Sequence, residues 1–217
     1  MLLLLIRHGL TGQVNARLTG WTPGVGLSTA GRAQAAGLIE RLEGVPLDAV
    51  YSSPLERAVE TATPLARARG LRVVKRKELG EVHYGDLQGK SLKALARTNV
   101  WSRLRSWPSN VRFPGGETLR ETQARAVTAI EKIRSDHAKA TVAVFSHGDF
   151  VRLTLAHYLG IHIDLYRRIA IDTASVSAIE FGQDWVQVPR MNDTGTLAQL
   201  ARVPVARPLS DKAVKGR

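Results

Sequence analysis

Two separated stretches of this chain share one pattern, and together they constrain the fold more than any other feature. Leu2-Leu3-Leu4-Leu5-Ile6 ends in Arg7-His8-Gly9, and Thr141-Val142-Ala143-Val144-Phe145 ends in Ser146-His147-Gly148. A short apolar run stopped by polar residues and glycine reads as a strand buried on both faces, the kind found in parallel sheets. Open α/β sheets present their ligand sites at the carboxyl ends of such strands. Both histidines therefore fall where a fold of this class does its chemistry. Gly9 permits a sharp turn and the close approach of a ligand. Taken singly, either histidine reads equally well as a structural residue; the repetition of strand-His-Gly argues for a site.

The rest of the chain supplies alternating elements. Leu27 to Leu42 has helical spacing, with Ser28 or Thr29 as N-cap. Asp48 to Ser52 reads as a strand; Ser53 then caps a helix over Pro54–Ala62 with proline at its first position. Leu71–Lys75 reads as a further parallel strand. The segment Glu78–Gly89 has no regular period, and Ser91–Arg105 reads as one helix, with Trp101 and Trp107 giving apolar packing. A long amphipathic helix is predicted from Glu117 to about Ala138, a helix after His147, and a hairpin from Ser175–Phe181 and Trp185–Val188. This alternation predicts a three-layer α/β/α sandwich with a mostly parallel central sheet and a small helical cap. The expected organisation is one domain over residues 1–201, with a cap insertion at about 76–116 and a disordered basic tail over 202–217.

Composition narrows the chemistry. The 217 residues contain no cysteine, which excludes a disulfide framework, a thiolate zinc site and a cysteine nucleophile. The formal net charge of +12 fits an anionic substrate, a nucleic-acid or membrane surface, or a generally basic proteome. The arginines are scattered, and aromatics make up only 6% with no aromatic-basic interleaving, which argues against nucleic acid as the main partner. The apolar start is too short for a signal peptide and has no basic region before it, and no stretch approaches the ~20 residues of a membrane span. A cytoplasmic protein without a membrane partner is expected.

Two arginines stand out by position. Arg57 lies in the first turn of its helix and leans back toward the strand end, where anions already favour a helix N-terminus. Its alternative is an i,i+3 pair with Glu60 on a solvated face, and helix geometry alone does not choose. Arg17 sits in the Gly- and Thr-rich loop that leaves the first strand. It either adds charge to a site wall or is solvated.

The ordered set of motifs resembles the histidine phosphatase superfamily, the phosphoglycerate mutase-like family. The resemblance rests on Arg7-His8-Gly9 with Thr11, on Ser53-Pro54-Leu55-Glu56-Arg57-Ala58-Val59-Glu60-Thr61-Ala62, on Glu81 to Gly89, on Pro114-Gly115-Gly116-Glu117, on Ser146-His147-Gly148 and on Asn192-Asp193-Thr194. It spans residues 2–197. The resemblance implies His8 as the nucleophile that forms a phosphohistidine. It implies Arg7, Arg57 and His147 as ligands of the phosphoryl oxygens, with His147 protonated once phosphate arrives. Glu81 would be the acid that protonates the leaving oxygen and then activates water. Thr11, Gly148 and Tyr84 are implied as further phosphate or substrate contacts. No metal and no cofactor is implied.

The chain also departs from the family pattern. Many members carry asparagine six residues after the first histidine; Val14 stands there, and Asn15 follows, so that role is left unassigned. Asp172 stands where many have asparagine. The acidic segment is closer to the mutases than to most phosphatases, yet Val82 stands where they have arginine. The cap lacks their adjacent arginine pair, having only the separated Arg97, Arg103, Arg105 and Arg112. The expectation is thus a phosphatase acting on small phosphate monoesters and releasing inorganic phosphate, as a monomer or homodimer. Mutase-type transfer is the alternative, and a non-catalytic phospho-ligand or nucleic-acid binder the third reading.

Overall fold

A computed structural model describes residues 1–195. The tail expected over 202–217, and the end of the domain expected at 201, lie outside the described residues. Strand β1 (Leu2–Arg7) is followed by α1 (Thr29–Arg41), β2 (Ala49–Ser52), α2 (Glu56–Ala68) and β3 (Val73–Lys75). Next come α3 (Leu92–Leu95), α4 (Asn99–Ser106), α5 (Leu119–Asp136), β4 (Thr141–Ser146) and α6 (Gly148–Tyr158), then β5 (Val176–Phe181) and β6 (Val186–Asp193). The strands form one sheet in the order β3-β2-β4-β1-β5-β6. The run β3-β2-β4-β1 is parallel, and β5 and β6 add to the β1 edge antiparallel.

The leucine run works because β1 is covered on both faces. Its pleat sends alternate side chains to opposite sides. Leu3 and Leu5 join Val142, Val144, Phe150, Ile130 and Ile179 on one side. Leu4 and Ile6 join Leu38, Leu65, Ala143 and Phe145 on the other. Helices α1 and α2 therefore cover one face of the sheet, and α5 and α6 the other, giving the three layers expected.

Several local expectations are corrected. Helix α2 starts at Glu56 with Leu55 as N-cap, so Ser53 and Pro54 precede it, and it continues to Ala68. The predicted helix over Ser91–Arg105 divides into α3 and α4, because Thr98 leaves helical geometry and its side chain accepts the Trp101 N–H. Trp101 packs against the core, whereas Trp107 is 56% exposed. Gly9 also makes room for α1: a Cβ there would lie 2.7 Å from the Gly31 carbonyl oxygen. Among the described residues no helix is long and apolar enough to cross a membrane.

Helix α5 opens with a capping box. The Thr118 hydroxyl accepts the Glu121 N–H at 3.1 Å, and the Glu121 carboxylate accepts the Thr118 N–H at 2.7 Å. Thr118→Ala is expected to cost about 1 kcal/mol, seen as a fall in Tm of about 2–4 °C by calorimetry. An unchanged Tm would show the box to be redundant.

Candidate active site

The sheet register brings the two histidines together. Arg7 pairs with Ser146, and the His8 N–H extends the ladder to the Ser146 carbonyl at 2.9 Å. His8 and His147 consequently leave neighbouring strands side by side, with ring centroids 5.2 Å apart. Both are buried.

Arg57 completes this end of the site. Its side chain is 1% exposed, which rules out the solvated pair with Glu60; Glu60 instead accepts the Leu27 N–H at 2.7 Å. Arg57 Nε donates to His8 Nε2 at 3.2 Å, and Nη2 donates to the Gly20 carbonyl at 2.7 Å. His8 Nδ1 lies 2.7 Å from the Gly9 carbonyl. These two bonds are mutually consistent for one tautomer, with the proton on Nδ1 and the lone pair on Nε2. Burial, and then Arg57 and Arg7, push His8 well below the usual imidazole range, so this nitrogen stays neutral and nucleophilic.

Three buried nitrogens at this place have no partner among the described residues: Arg7 Nε, Arg57 Nη1 and His147 Nδ1. Buried donors are almost always bonded, so three orphans together mark a place built for an acceptor. Arg7 is anchored by its Nη1 bond to the Ile171 carbonyl at 2.7 Å. His147 is anchored by Ser53, whose Oγ lies 2.7 Å from His147 Nε2 and also accepts the Leu55 N–H. With the Ser53 hydroxyl donating to Nε2, His147 presents an N–H at Nδ1 while neutral. Burial and the nearby Arg57 hold His147 well below the usual range, so without a bound anion it is neutral in this tautomer. Ser53, read from sequence as a helix cap, is freed for this task by the later start of α2.

Glu81 lines the same cleft. Burial, then the charge of Asp149, raise it to about 7. Its backbone is clamped: the Glu81 carbonyl accepts from Trp21 Nε1 at 2.7 Å and from Arg125 Nη2 at 3.2 Å. Arg125 also bonds the carbonyls of Glu78 and Gly80 and pairs with Glu117 at 2.6 Å. The Ser146 hydroxyl ties the Leu79 carbonyl to the end of β4 at 2.7 Å. These bonds fix the backbone of an irregular segment up to its acid.

The cleft has a volume of about 310 Å³. Thr11, Gly148 and Tyr84 all line it. The Tyr84 hydroxyl donates to Asp149 at 2.8 Å, which leaves its oxygen able only to accept from a ligand. Val14 and Asn15 both line the cleft, and Asn15 takes a left-handed conformation at φ +64°. Asp149, Arg152 and Arg167 also line it and were not singled out from sequence. Arg152 and Asp149 form an ion pair at 2.9 Å, one turn apart on α6, a spacing that marks any helix surface and carries no site signal. Among the described residues no group of three or more His, Asp or Glu is placed to hold a metal ion.

Phosphoserine phosphatase 1 of Hydrogenobacter thermophilus is 31% identical over 176 residues, covering 80% of this chain and 83% of that protein. A 2,3-bisphosphoglycerate-dependent phosphoglycerate mutase 2 of Gloeobacter violaceus is 31% identical over 191 residues, covering 84% and 87%. A bifunctional protein of Mycobacterium tuberculosis is 33% identical over 201 residues and is longer: 90% of this chain is covered, but only 54% of that protein. Among solved structures, Bacillus stearothermophilus YhfR superposes with a TM-score of 0.83 at 29% identity, covering 88% of this chain and 96% of that one. The family model of the histidine phosphatase superfamily, branch 1, matches residues 3–194. The chain belongs to the histidine phosphatase superfamily of enzymes.

Proposed function

We propose that the chain is a metal-independent phosphomonoester hydrolase that works through a phosphohistidine on His8. The observation that carries this reading is the set of three partnerless buried nitrogens, on Arg7, Arg57 and His147, beside a neutral His8. Phosphoryl transfer needs positioning and charge compensation above all, and two guanidiniums supply planar donors matched to phosphoryl oxygens. His8 Nε2 attacks phosphorus as the bond to the leaving oxygen breaks. Protonated Glu81 gives its proton to that oxygen. The resulting carboxylate then takes a proton from water, which attacks the phosphohistidine, releasing inorganic phosphate and restoring His8. A group titrating at about 7 can serve as acid and then as base.

The reading includes a small phosphorylated metabolite as substrate, action in the cytoplasm, and a single domain whose segment 76–116 closes over the cleft, as a monomer or homodimer. The mutase alternative is favoured by one observation, the similarity to the Gloeobacter mutase. The deciding experiment is a steady-state assay with and without EDTA, on p-nitrophenyl phosphate and on 3-phosphoglycerate with catalytic 2,3-bisphosphoglycerate. The expected result is EDTA-insensitive release of phosphate. Interconversion of phosphoglycerates without release would make the enzyme a mutase. Inactivity on both substrates, with phosphate still bound in calorimetry, would favour a binding module.

A further inference from the structure

We propose that the substrate carries a second anionic group, held by Arg17 and Arg167 at the outer part of the cleft. This rests on the phosphatase reading and deepens it. The cleft holds more positive charge than one phosphoryl group uses. Arg7 and Arg57 answer a phosphomonoester dianion. Arg152 is engaged by Asp149 at 2.9 Å and by the Ile169 carbonyl at 3.0 Å. Two lining arginines are then left over. Arg17 gives one N–H to the Gly89 carbonyl at 2.8 Å, a neutral acceptor. The side chain of Arg167, in the short turn Ile163–Arg168, has no hydrogen bond or ion pair to any described residue.

The acids of the cleft do not cancel these charges. Asp149 is taken by Arg152 and Tyr84. Glu81 keeps its proton to about pH 7. Uncompensated charge of one sign, in a cleft with low-dielectric walls, concentrates a counter-ion there. The walls are partly apolar, with Leu18, Leu92, Trp101 and Leu104 among the lining residues. The volume of about 310 Å³ lies at the small end of the ~300–1,000 Å³ typical of metabolite sites, which favours a small molecule over a phosphorylated protein. Both arginines lie outside the segment 76–116, so the first loop and the turn at 163–168 share in specificity with the cap.

A matched series tests this: propyl phosphate, 3-(phosphonooxy)propanoate and propane-1,3-diyl bisphosphate, assayed with the wild-type enzyme and the R17Q/R167Q double variant. Both side chains are exposed, and an unchanged Tm checks the fold of the variant. In the wild type, at least one doubly anionic ester should exceed propyl phosphate by about tenfold or more in kcat/KM, as expected for charge-assisted bonds. The better of the two identifies the second group as carboxylate or phosphoryl. The double variant should lose most of that advantage while propyl phosphate changes far less. Equal kcat/KM across the wild-type series, or a variant that lowers all three esters in proportion, would overturn the proposal. If no ester turned over, the p-nitrophenyl phosphate assay would decide the phosphatase reading, and calorimetry with propylphosphonate and propane-1,3-diyl bisphosphonate would still decide this one. Tighter binding of the bisphosphonate, lost in the variant, supports it; equal binding overturns it.

Discussion

His8→Ala is expected to lower turnover by at least about 10⁴-fold, the scale seen when a covalent nucleophile is removed, while inorganic phosphate still binds within about tenfold of its wild-type affinity. The two parts of the result come from different atoms. Turnover needs the lone pair on His8 Nε2, aimed by the Nδ1 contact with the Gly9 carbonyl. Binding needs the partnerless donors on Arg7, Arg57 and His147, none of which belongs to His8. The backbone anchors of those arginines, at the Ile171 and Gly20 carbonyls, survive the substitution. Calorimetric titration with phosphate beside a steady-state assay checks both halves. A variant that kept near-normal turnover would remove His8 from the nucleophile role. A variant that lost phosphate as well would mean that the donor set depends on the imidazole to stand where it does.

The sequence shows where chemistry enters the fold better than how it is held there. The paired strand-His-Gly stretches were legible because a strand covered on both faces must be apolar throughout, and its end must then be polar. Parallel pairing of β1 with β4 turns that pattern directly into neighbouring histidines. Arg57 was legible only to the level of two alternatives, since an arginine in a first helical turn looks the same whether its end is buried or solvated. Ser53 was misread because a serine before proline is the usual sign of a helix start; Leu55 takes the cap position and the serine turns to His147 instead. Arg125 gave no local signal at all. Its role lies in four carbonyl and carboxylate partners contributed by a distant irregular segment and by Glu117, a relation that only tertiary packing creates. The same holds for Arg167, whose side chain lines the cleft with no hydrogen bond or ion pair among the described residues.

Glu81→Gln is expected to separate substrates by their leaving groups. An alkyl phosphate expels a strongly basic oxygen and needs a proton in the transition state, so its kcat/KM should fall by about 10²–10⁴, the usual yield of general acid catalysis. p-Nitrophenolate leaves without help, so the variant should form the phosphohistidine at a rate close to normal and then stall, because no carboxylate remains to activate water. Rapid mixing should show a burst of about one equivalent of p-nitrophenol followed by slow turnover. The pH profile carries the same information with a definite sign. The acid must hold its proton, and burial with the nearby Asp149 raises it to about 7. Wild-type kcat/KM for an alkyl phosphate should therefore decline as pH rises through about 7, and the glutamine variant should lack that limb. Asp149→Asn removes the negative charge that helps hold the proton on Glu81, so the limb should move toward lower pH. Equal losses of Glu81→Gln on both substrate types, or a limb that persists in that variant, would assign the proton to another group; the absence of a burst would place Glu81 outside the dephosphorylation step.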